Sequence, residues 1–127
     1  MVKTIKIGDK EVKMRASALI PLLYRNKFNR DIYKDLTSLV DDINSKNPDI
    51  ENMQIVERLA YLMAKQGDND ETGKHLGNIP DTIEEWLDTF DDVFAIYEAS
   101  GEILSLWGNS KQSIAESKKK QGRPSGK

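Results

Sequence analysis

The stretch from Ile5 to Met14, which reads IKIGDKEVKM, decides how the fold begins. Apolar and charged side chains alternate in both halves of this stretch, and Gly8-Asp9-Lys10 between the halves supplies turn residues. An alternation of period two predicts a strand, and two such strands joined by a short turn predict a β-hairpin. A lone hairpin is only marginally stable in water, so its apolar face requires support from the segments that follow.

Apolar residues recur at helical spacing after the hairpin, which predicts helices that form this support. The stripe of the third helix consists of Ile55, Leu59, Leu62 and Met63, with Val56 and Ala60 alongside. Ser17, Asp49 and Thr82 are N-cap candidates, and Thr82 with Glu85 matches a capping box. Residues 67–80 are mostly small, polar or charged, which predicts a mobile surface loop. The five predicted helices cover residues 17–27, 30–45, 49–66, 82–90 and 91–107.

The distribution of charge divides the chain into a body and a tail. Residues 1–110 carry 13 Lys/Arg and 20 Asp/Glu, a balance of −7, whereas residues 111–127 carry six Lys/Arg and one Glu, a balance of +5. The tail has few apolar side chains to offset the entropy of ordering, which predicts disorder. We therefore expect a mainly α fold with a small N-terminal β-hairpin (α+β): a compact bundle of about five helices over residues 1–110, followed by a flexible basic tail over residues 111–127.

Composition excludes several classes of protein. A chain of 127 residues fits a single domain, and the absence of cysteine excludes disulfides and thiolate metal sites. No apolar stretch is long enough to cross a bilayer, and the N-terminus lacks the apolar core of a signal sequence. We expect a protein that is neither secreted nor embedded in a membrane.

The residues that enzymes need are sparse. His75 is the only histidine and lies in the polar loop, where partners for acid–base or metal chemistry would be poorly held. The adjacent carboxylate pairs at 41–42, 84–85 and 91–92 point in different directions on a helix. We therefore predict no enzymatic activity, no cofactor and no metal site.

The last predicted helix has apolar side chains on more than one side. Phe94, Ile103 and Leu106 lie off its main stripe, which consists of Val93, Ile96, Tyr97, Leu104 and Trp107. Because a terminal helix of a small bundle cannot bury every face, the candidate surface for a partner or a second subunit consists of Phe94, Ile103, Leu106 and Trp107. Burial in the core is the alternative for the aromatic residues of this region.

The basic tail raises an alternative function. Gly122-Arg123-Pro124 is similar to short motifs that bind the minor groove of DNA, but three residues are a weak match. The acidic body opposes the approach of a polyanion. The alternative hypothesis is therefore a small nucleic-acid-binding regulatory protein that uses the basic C-terminal tail. We do not expect nucleic acid to be the main partner.

Several segments, taken in order, resemble the tail assembly chaperones of long-tailed bacteriophages. The resemblance extends over nearly the whole chain, and the spacing Tyr-Arg-x-x-Phe-x-x-Asp from Tyr24 to Asp31 contributes most to it. The similar segments are the hairpin residues 5–12, residues 18–31, residues 58–64, Glu85-Trp86-Leu87 followed by Phe90, Leu106-Trp107 and the lysine-rich end.

The resemblance implies a chaperone that binds the tape measure protein, keeps this long apolar helical partner soluble, and helps recruit subunits of the major tail tube protein. It also implies action in the host bacterial cytoplasm and absence from the mature virion. Members of the family are made in a short and a longer form by ribosomal frameshifting, and Lys118-Lys119-Lys120 lies at the corresponding position. A lysine run that only increases solubility is the alternative. Coating a long helix requires repeated copies, so we expect a homo-oligomer.

Overall fold

The computed structural model of the chain describes residues 1–43 and 50–108. Within these ranges the protein is mostly helical with a two-stranded antiparallel hairpin at the N-terminus, which confirms the predicted fold class. The predicted helix end at Ser45, the N-cap at Asp49 and the tail of residues 111–127 lie outside the described residues.

Two strands and six helices follow one another in the described part of the chain. The strands are β1 (Val2–Ile7) and β2 (Lys10–Arg15), and the helices are α1 (Ile20–Phe28), α2 (Ile32–Ile43), α3 (Ile50–Gly67), α4 (Ile83–Leu87), α5 (Ala95–Glu98) and α6 (residues 100–108). The helix predicted over residues 91–107 is wrong in its bounds, because it begins only at Ala95 and is interrupted at Ala99.

The alternation of buried and exposed strand residues is as predicted, but the turn is one residue shorter, because Lys10 begins β2 and pairs with Ile7. Ile5 pairs with Val12 across a two-residue turn, in which Gly8 has a φ of +64° that favours glycine. The inward-facing side chains of both strands are buried, while their neighbours face solvent. The apolar face rests on α3, which packs directly against β2 and provides the support that an isolated hairpin lacks.

Helix α3 is the centre of the fold. It packs against β2, α1, α2, α4 and α5, and the six consecutive residues 59–64 are all buried. A helix that is apolar on all sides belongs in the interior, where neighbours cover every face. The stripe predicted from Ile55, Leu59 and Leu62 is therefore only one side of a helix that is enclosed over two turns.

Of the two predicted helix caps that the structure describes, the one at Thr82 is confirmed and the one at Ser17 is wrong. Ser17 does not cap α1: its hydroxyl accepts a hydrogen bond from the Leu19 amide at 3.3 Å, and the helix begins three residues later. Thr82 does cap α4, since its hydroxyl accepts a hydrogen bond from the Glu85 amide at 3.2 Å. The Glu85 carboxylate then accepts from the Thr82 hydroxyl at 2.8 Å, rather than from the Thr82 amide as a capping box requires.

The loop after α3 is held by its own aspartates. The buried Asp68 carboxylate accepts hydrogen bonds from the amides of Asn78 and Ile79 at 2.7 and 3.0 Å. Asp70 accepts from Thr72 and Lys74 in the same way, so the segment closes on itself. The expected surface loop is present, and its backbone groups have partners that the sequence pattern did not reveal.

Gly67 is required by close packing and not by its dihedral angles. A Cβ atom at this position would lie 2.3 Å from the carbonyl oxygen of Lys13, which is backbone of β2. Gly67→Ala should therefore lower the free energy of unfolding by about 1–3 kcal/mol, because α3 and β2 must separate. Urea unfolding followed by circular dichroism measures this change.

Gly101→Ala is the matched control for this prediction. A Cβ at Gly101 meets nothing within 4 Å, and the residue is helical. The substitution should leave stability unchanged or raise it by up to about 1 kcal/mol. Equal losses in the two variants would contradict the close approach of α3 to β2.

A buried cluster of charged groups joins the first three helices. The Asp35 carboxylate of α2 accepts a hydrogen bond from the Tyr24 hydroxyl of α1 at 2.6 Å and two from the Arg30 guanidinium at 2.8 and 2.9 Å. Arg58 of α3 donates to the Tyr24 hydroxyl at 3.0 Å, and its Nη2 lies 3.7 Å from Asp35 Oδ2. Each helix thus contributes one side chain to a single hydrogen-bonded group.

The ionisation of this cluster follows from its contacts. The hydrogen bonds from Arg30 hold the pKa of Asp35 below its usual range, although burial acts in the opposite direction. Burial raises the pKa of Tyr24 to about 12, so this hydroxyl remains a donor. The groups are matched to one another and joined to three helices, which indicates a structural role.

Candidate partner-binding surface

A groove of about 500 Å³ opens where α3, α4 and the start of α5 meet. We call it the acidic groove, because every charged residue in its lining is acidic. Four of the lining residues are apolar and four are acidic. The apolar ones are Leu87, Phe90, Val93 and Ile96, and the acidic ones are Glu57, Glu84, Asp88 and Asp92.

Helix α4 forms one wall of the acidic groove and depends on a tertiary anchor. Five residues are too few for a helix that is stable alone. Trp86 is only 2% exposed, and its ring meets Phe90 edge-on at 5.1 Å and Tyr61 at 5.7 Å between centroids. This contact fixes α4 on α3 and leaves Glu84, Leu87 and Asp88 to face the groove.

A tight turn over residues 92–95 forms the rim of the groove. The Asp92 carboxylate accepts a hydrogen bond from the Phe94 amide at 2.9 Å, and the Asp92 carbonyl accepts from the Ala95 amide at 3.1 Å. The turn holds the two residues between its bonds at the surface: the exposed fractions are 79% for Val93 and 54% for Phe94. Two adjacent, exposed apolar side chains beside a groove are typical of a contact surface.

The acidic groove is negative throughout. No Lys or Arg lines it, and none of its four carboxylates makes an ion pair with another residue in the described part of the chain. Burial raises the pKa of Glu57 despite the neighbouring Arg58. A cationic side chain from outside would therefore meet unpaired carboxylates.

Only part of the predicted contact surface is accessible. Phe94 is exposed and Trp107 is half-buried, but Ile103 and Leu106 are 0% and 3% exposed and belong to the core. The prediction that these two residues face a partner is wrong. The predicted frameshift position, Lys118-Lys119-Lys120, lies outside the described residues.

The error has a physical origin in the small residues of this segment. The buried side is formed by Ala95, Ile96 and Ala99 together with Ile103 and Leu106, which is a helical stripe rotated away from the predicted one. Alanines contribute little to an apolar pattern, yet they allow close approach. The Ala95 Cβ atom lies 3.5 Å from the position that a Cβ on Gly8 would take.

The sequence-based prediction missed the acidic lining, because it treats Glu84 and Asp92 only as members of adjacent carboxylate pairs and does not include Glu57 or Asp88. One signal in the sequence could have located it: residues 75–110 contain eight Asp/Glu and no Lys or Arg. Such a run predicts a negative face, although it does not show which carboxylates share a groove.

A second cleft of about 380 Å³ lies between β2, α3 and the following loop. Lys10 spans it by donating to the Thr89 carbonyl at 2.6 Å, and Lys13 donates to the Asn69 carbonyl at 3.3 Å. His75 is exposed in the loop and pairs through its backbone with Asn69. Over residues 1–43 and 50–108, no three His, Cys, Asp or Glu side chains are grouped closely enough to hold a metal ion.

The described helices include none with the length and apolar character needed to cross a membrane. Comparison of the chain with protein-family models, with curated proteins and with solved structures gave no match.

Proposed function

We propose that this chain is a tail assembly chaperone of a long-tailed bacteriophage, which binds the tape measure protein, keeps it soluble and helps recruit tail tube subunits. The observation that supports this proposal best is the exposed pair Val93 and Phe94 beside the acidic groove. The choice of this family comes from the resemblance of successive segments, from the hairpin to Leu106-Trp107, to segments of the tail assembly chaperones.

The acidic groove suits one face of an amphipathic helix. Apolar side chains of a partner helix, spaced three and four residues apart, would contact Val93, Phe94 and Leu87. Lys or Arg side chains beside that stripe would meet Glu84 and Asp88. The groove therefore favours helices whose apolar stripe has basic neighbours.

The charge of the body suits a protein that works in many copies. Its balance of −7 over residues 1–110 opposes aggregation, while a chain of weak contacts along one partner gives strong summed binding. The proposal places the protein in the host cytoplasm as a homo-oligomer on its partner, absent from the mature virion. It acts by binding and performs no catalysis.

Phe94→Ser should abolish the solubilisation of the tape measure protein. The side chain is 54% exposed, so the substitution should change the free energy of unfolding by no more than about 0.5 kcal/mol. The measurement is the soluble fraction of the tape measure protein after co-expression with each variant.

Leu22→Ser provides the control, because Leu22 is also 54% exposed but lies on α1. This variant should solubilise the partner as the unaltered protein does. Precipitation of the tape measure protein whether or not the unaltered chain is present would disprove the function. Equal loss with both variants would disprove only the assignment of the surface.

A further inference from the structure

The charges of the C-terminal third of the chain are separated into two blocks. Residues 75–110 contain eight Asp/Glu without a Lys or Arg, and residues 111–127 contain six Lys/Arg with one Glu. The first block supplies α4, the turn and α5, and thus three of the four carboxylates of the acidic groove. Within one chain, a strongly basic segment directly follows the segment that builds an unpaired acidic surface.

We propose that the acidic groove is the docking site of this chain's own basic segment, residues 111–127. The lysines at 118–120 meet Glu84, Asp88 and Asp92, while Ile114 lies on the exposed Val93 and Phe94. The docking is independent of the proposed function, because it requires no partner protein.

The charge of the acidic groove is complementary to that of residues 111–127. The groove offers four carboxylates without an ion pair among the described residues, and the two aspartates and Glu84 lie on exposed positions. Three consecutive lysines give a local charge of +3. Attraction between such groups is strong at low salt and is screened within a few ångströms at high salt.

The apolar part of the groove has a counterpart in the same segment. Residues 111–127 contain one large aliphatic side chain, Ile114, four residues before Lys118. Val93 is 79% exposed, and contact between so much apolar surface and water is unfavourable in free energy. Contact with Ile114 would remove apolar surface from water at both residues.

Chain length permits the contact. Helix α6 reaches residue 108, so nine residues lie between it and Lys118, and the ten Cα-to-Cα steps of an extended chain reach roughly 33 Å. A body of about 100 residues has a radius of gyration of about 13 Å. Because the segment is tethered, its effective concentration is in the millimolar range, which favours its own groove over that of another molecule.

Paramagnetic broadening in the full chain tests the proposal. The sequence has no cysteine, so Ser117→Cys gives a single site for a nitroxide spin label. A tethered effective concentration in the millimolar range keeps a sizeable fraction docked even if each contact is weak, and amides near the label broaden strongly, so signals of residues 84–96 should lose at least about half of their intensity. The loss should disappear in 1 M salt, where the Debye length is about 3 Å.

Two variants of the labelled full chain locate the effect. Neutralising the groove with Glu84→Gln, Asp88→Asn and Asp92→Asn should abolish the broadening. Neutralising three exposed acids elsewhere, with Asp9→Asn, Glu71→Gln and Glu102→Gln, changes the net charge equally and should preserve it. Broadening that is spread evenly over the surface, or that survives neutralisation of the groove, would overturn the proposal.

Mixing separates docking within a chain from docking between chains. Unlabelled protein enriched in 15N is combined with spin-labelled protein of natural isotopic abundance. The proposal predicts no broadening in this mixture, and broadening confined to the mixture would show that the segment reaches a second copy instead. Neither result depends on the tape measure protein, so a failure here leaves the chaperone function open.

Discussion

Asp35→Asn should lower the free energy of unfolding by about 3 kcal/mol at neutral pH, because removal of one partner leaves a buried charge uncompensated. Most of this loss in stability comes from the Arg58 guanidinium, which would lose its countercharge. Its side chain is 14% exposed, and its Nη2 atom makes no hydrogen bond, so Asp35 at 3.7 Å supplies its countercharge. Arg30 is 40% exposed and can turn toward water, which keeps the loss at the lower end for buried pairs.

The effect should depend on pH with a definite sign. Since the pKa of Asp35 is lowered in the folded protein, the carboxylate stabilises the fold above the ordinary aspartate pKa of about 4, and this contribution is lost as the pH falls through the folded value. The difference in stability between the unaltered protein and Asp35→Asn should be constant from about pH 6 to 8. It should shrink below about pH 4.

Asp81→Asn is the matched control for Asp35→Asn. Asp81 also forms an ion pair, with Lys65 at 3.2 Å, but its side chain is 98% exposed. An exposed pair contributes at most about 1 kcal/mol, so this variant should remain close to the unaltered protein. Urea unfolding of both variants across pH measures the contrast, and equal losses would show that the Asp35 cluster does not hold the three helices together.

The fold could be predicted where one physical pattern dominates. Alternation in residues 5–14 determined the hairpin, and the helical spacing of Ile55, Leu59 and Leu62 determined α3. The spacing from Tyr24 to Asp31 now has a structural basis. Phe28 meets the Tyr24 ring edge-on at 5.3 Å, and the Asp31 carboxylate caps α2 by accepting from the Tyr33 amide at 2.8 Å.

The parts that could not be predicted depend on contacts between distant segments. A pattern of apolar spacing treats Asp35 as a solvent-facing residue, and only Tyr24 and Arg58 on other helices explain its burial. The orientation of the last helices was wrong because Ala95 and Ala99 face the core while the larger Val93 and Phe94 face solvent. The acidic groove needs residues of three helices, so no single window of sequence contains it.

Trp86→Ala should lower the free energy of unfolding by about 3–5 kcal/mol, because it removes the buried indole that packs on Tyr61 of α3 and leaves a cavity. Trp86 is 2% exposed and meets both Tyr61 and Phe90, and the Thr89 hydroxyl donates to its carbonyl at 2.6 Å. A domain in the middle of the typical range of about 5–15 kcal/mol stays folded after this loss, with a lower stability. Circular dichroism during urea unfolding measures it.

The loss should be concentrated around α4. Without its anchor, a helix of five residues opens locally, so hydrogen exchange of the amides at 84–88 should rise far more than that of α1. Glu84, Leu87 and Asp88 would then no longer form a wall of the acidic groove, and binding of the tape measure protein should fall even at low temperature, where the body stays folded.

Trp107→Ala separates the anchor from the general effect of removing a tryptophan. Trp107 is only half-buried and lies outside the groove lining, so its removal should cost less stability and leave exchange in α4 unchanged. Trp86→Phe keeps a ring against Tyr61 and should fall between the two alanine variants. If Trp86→Ala lowered stability while exchange rose uniformly across the domain, α4 would be a cooperative part of the core and not a separately anchored wall.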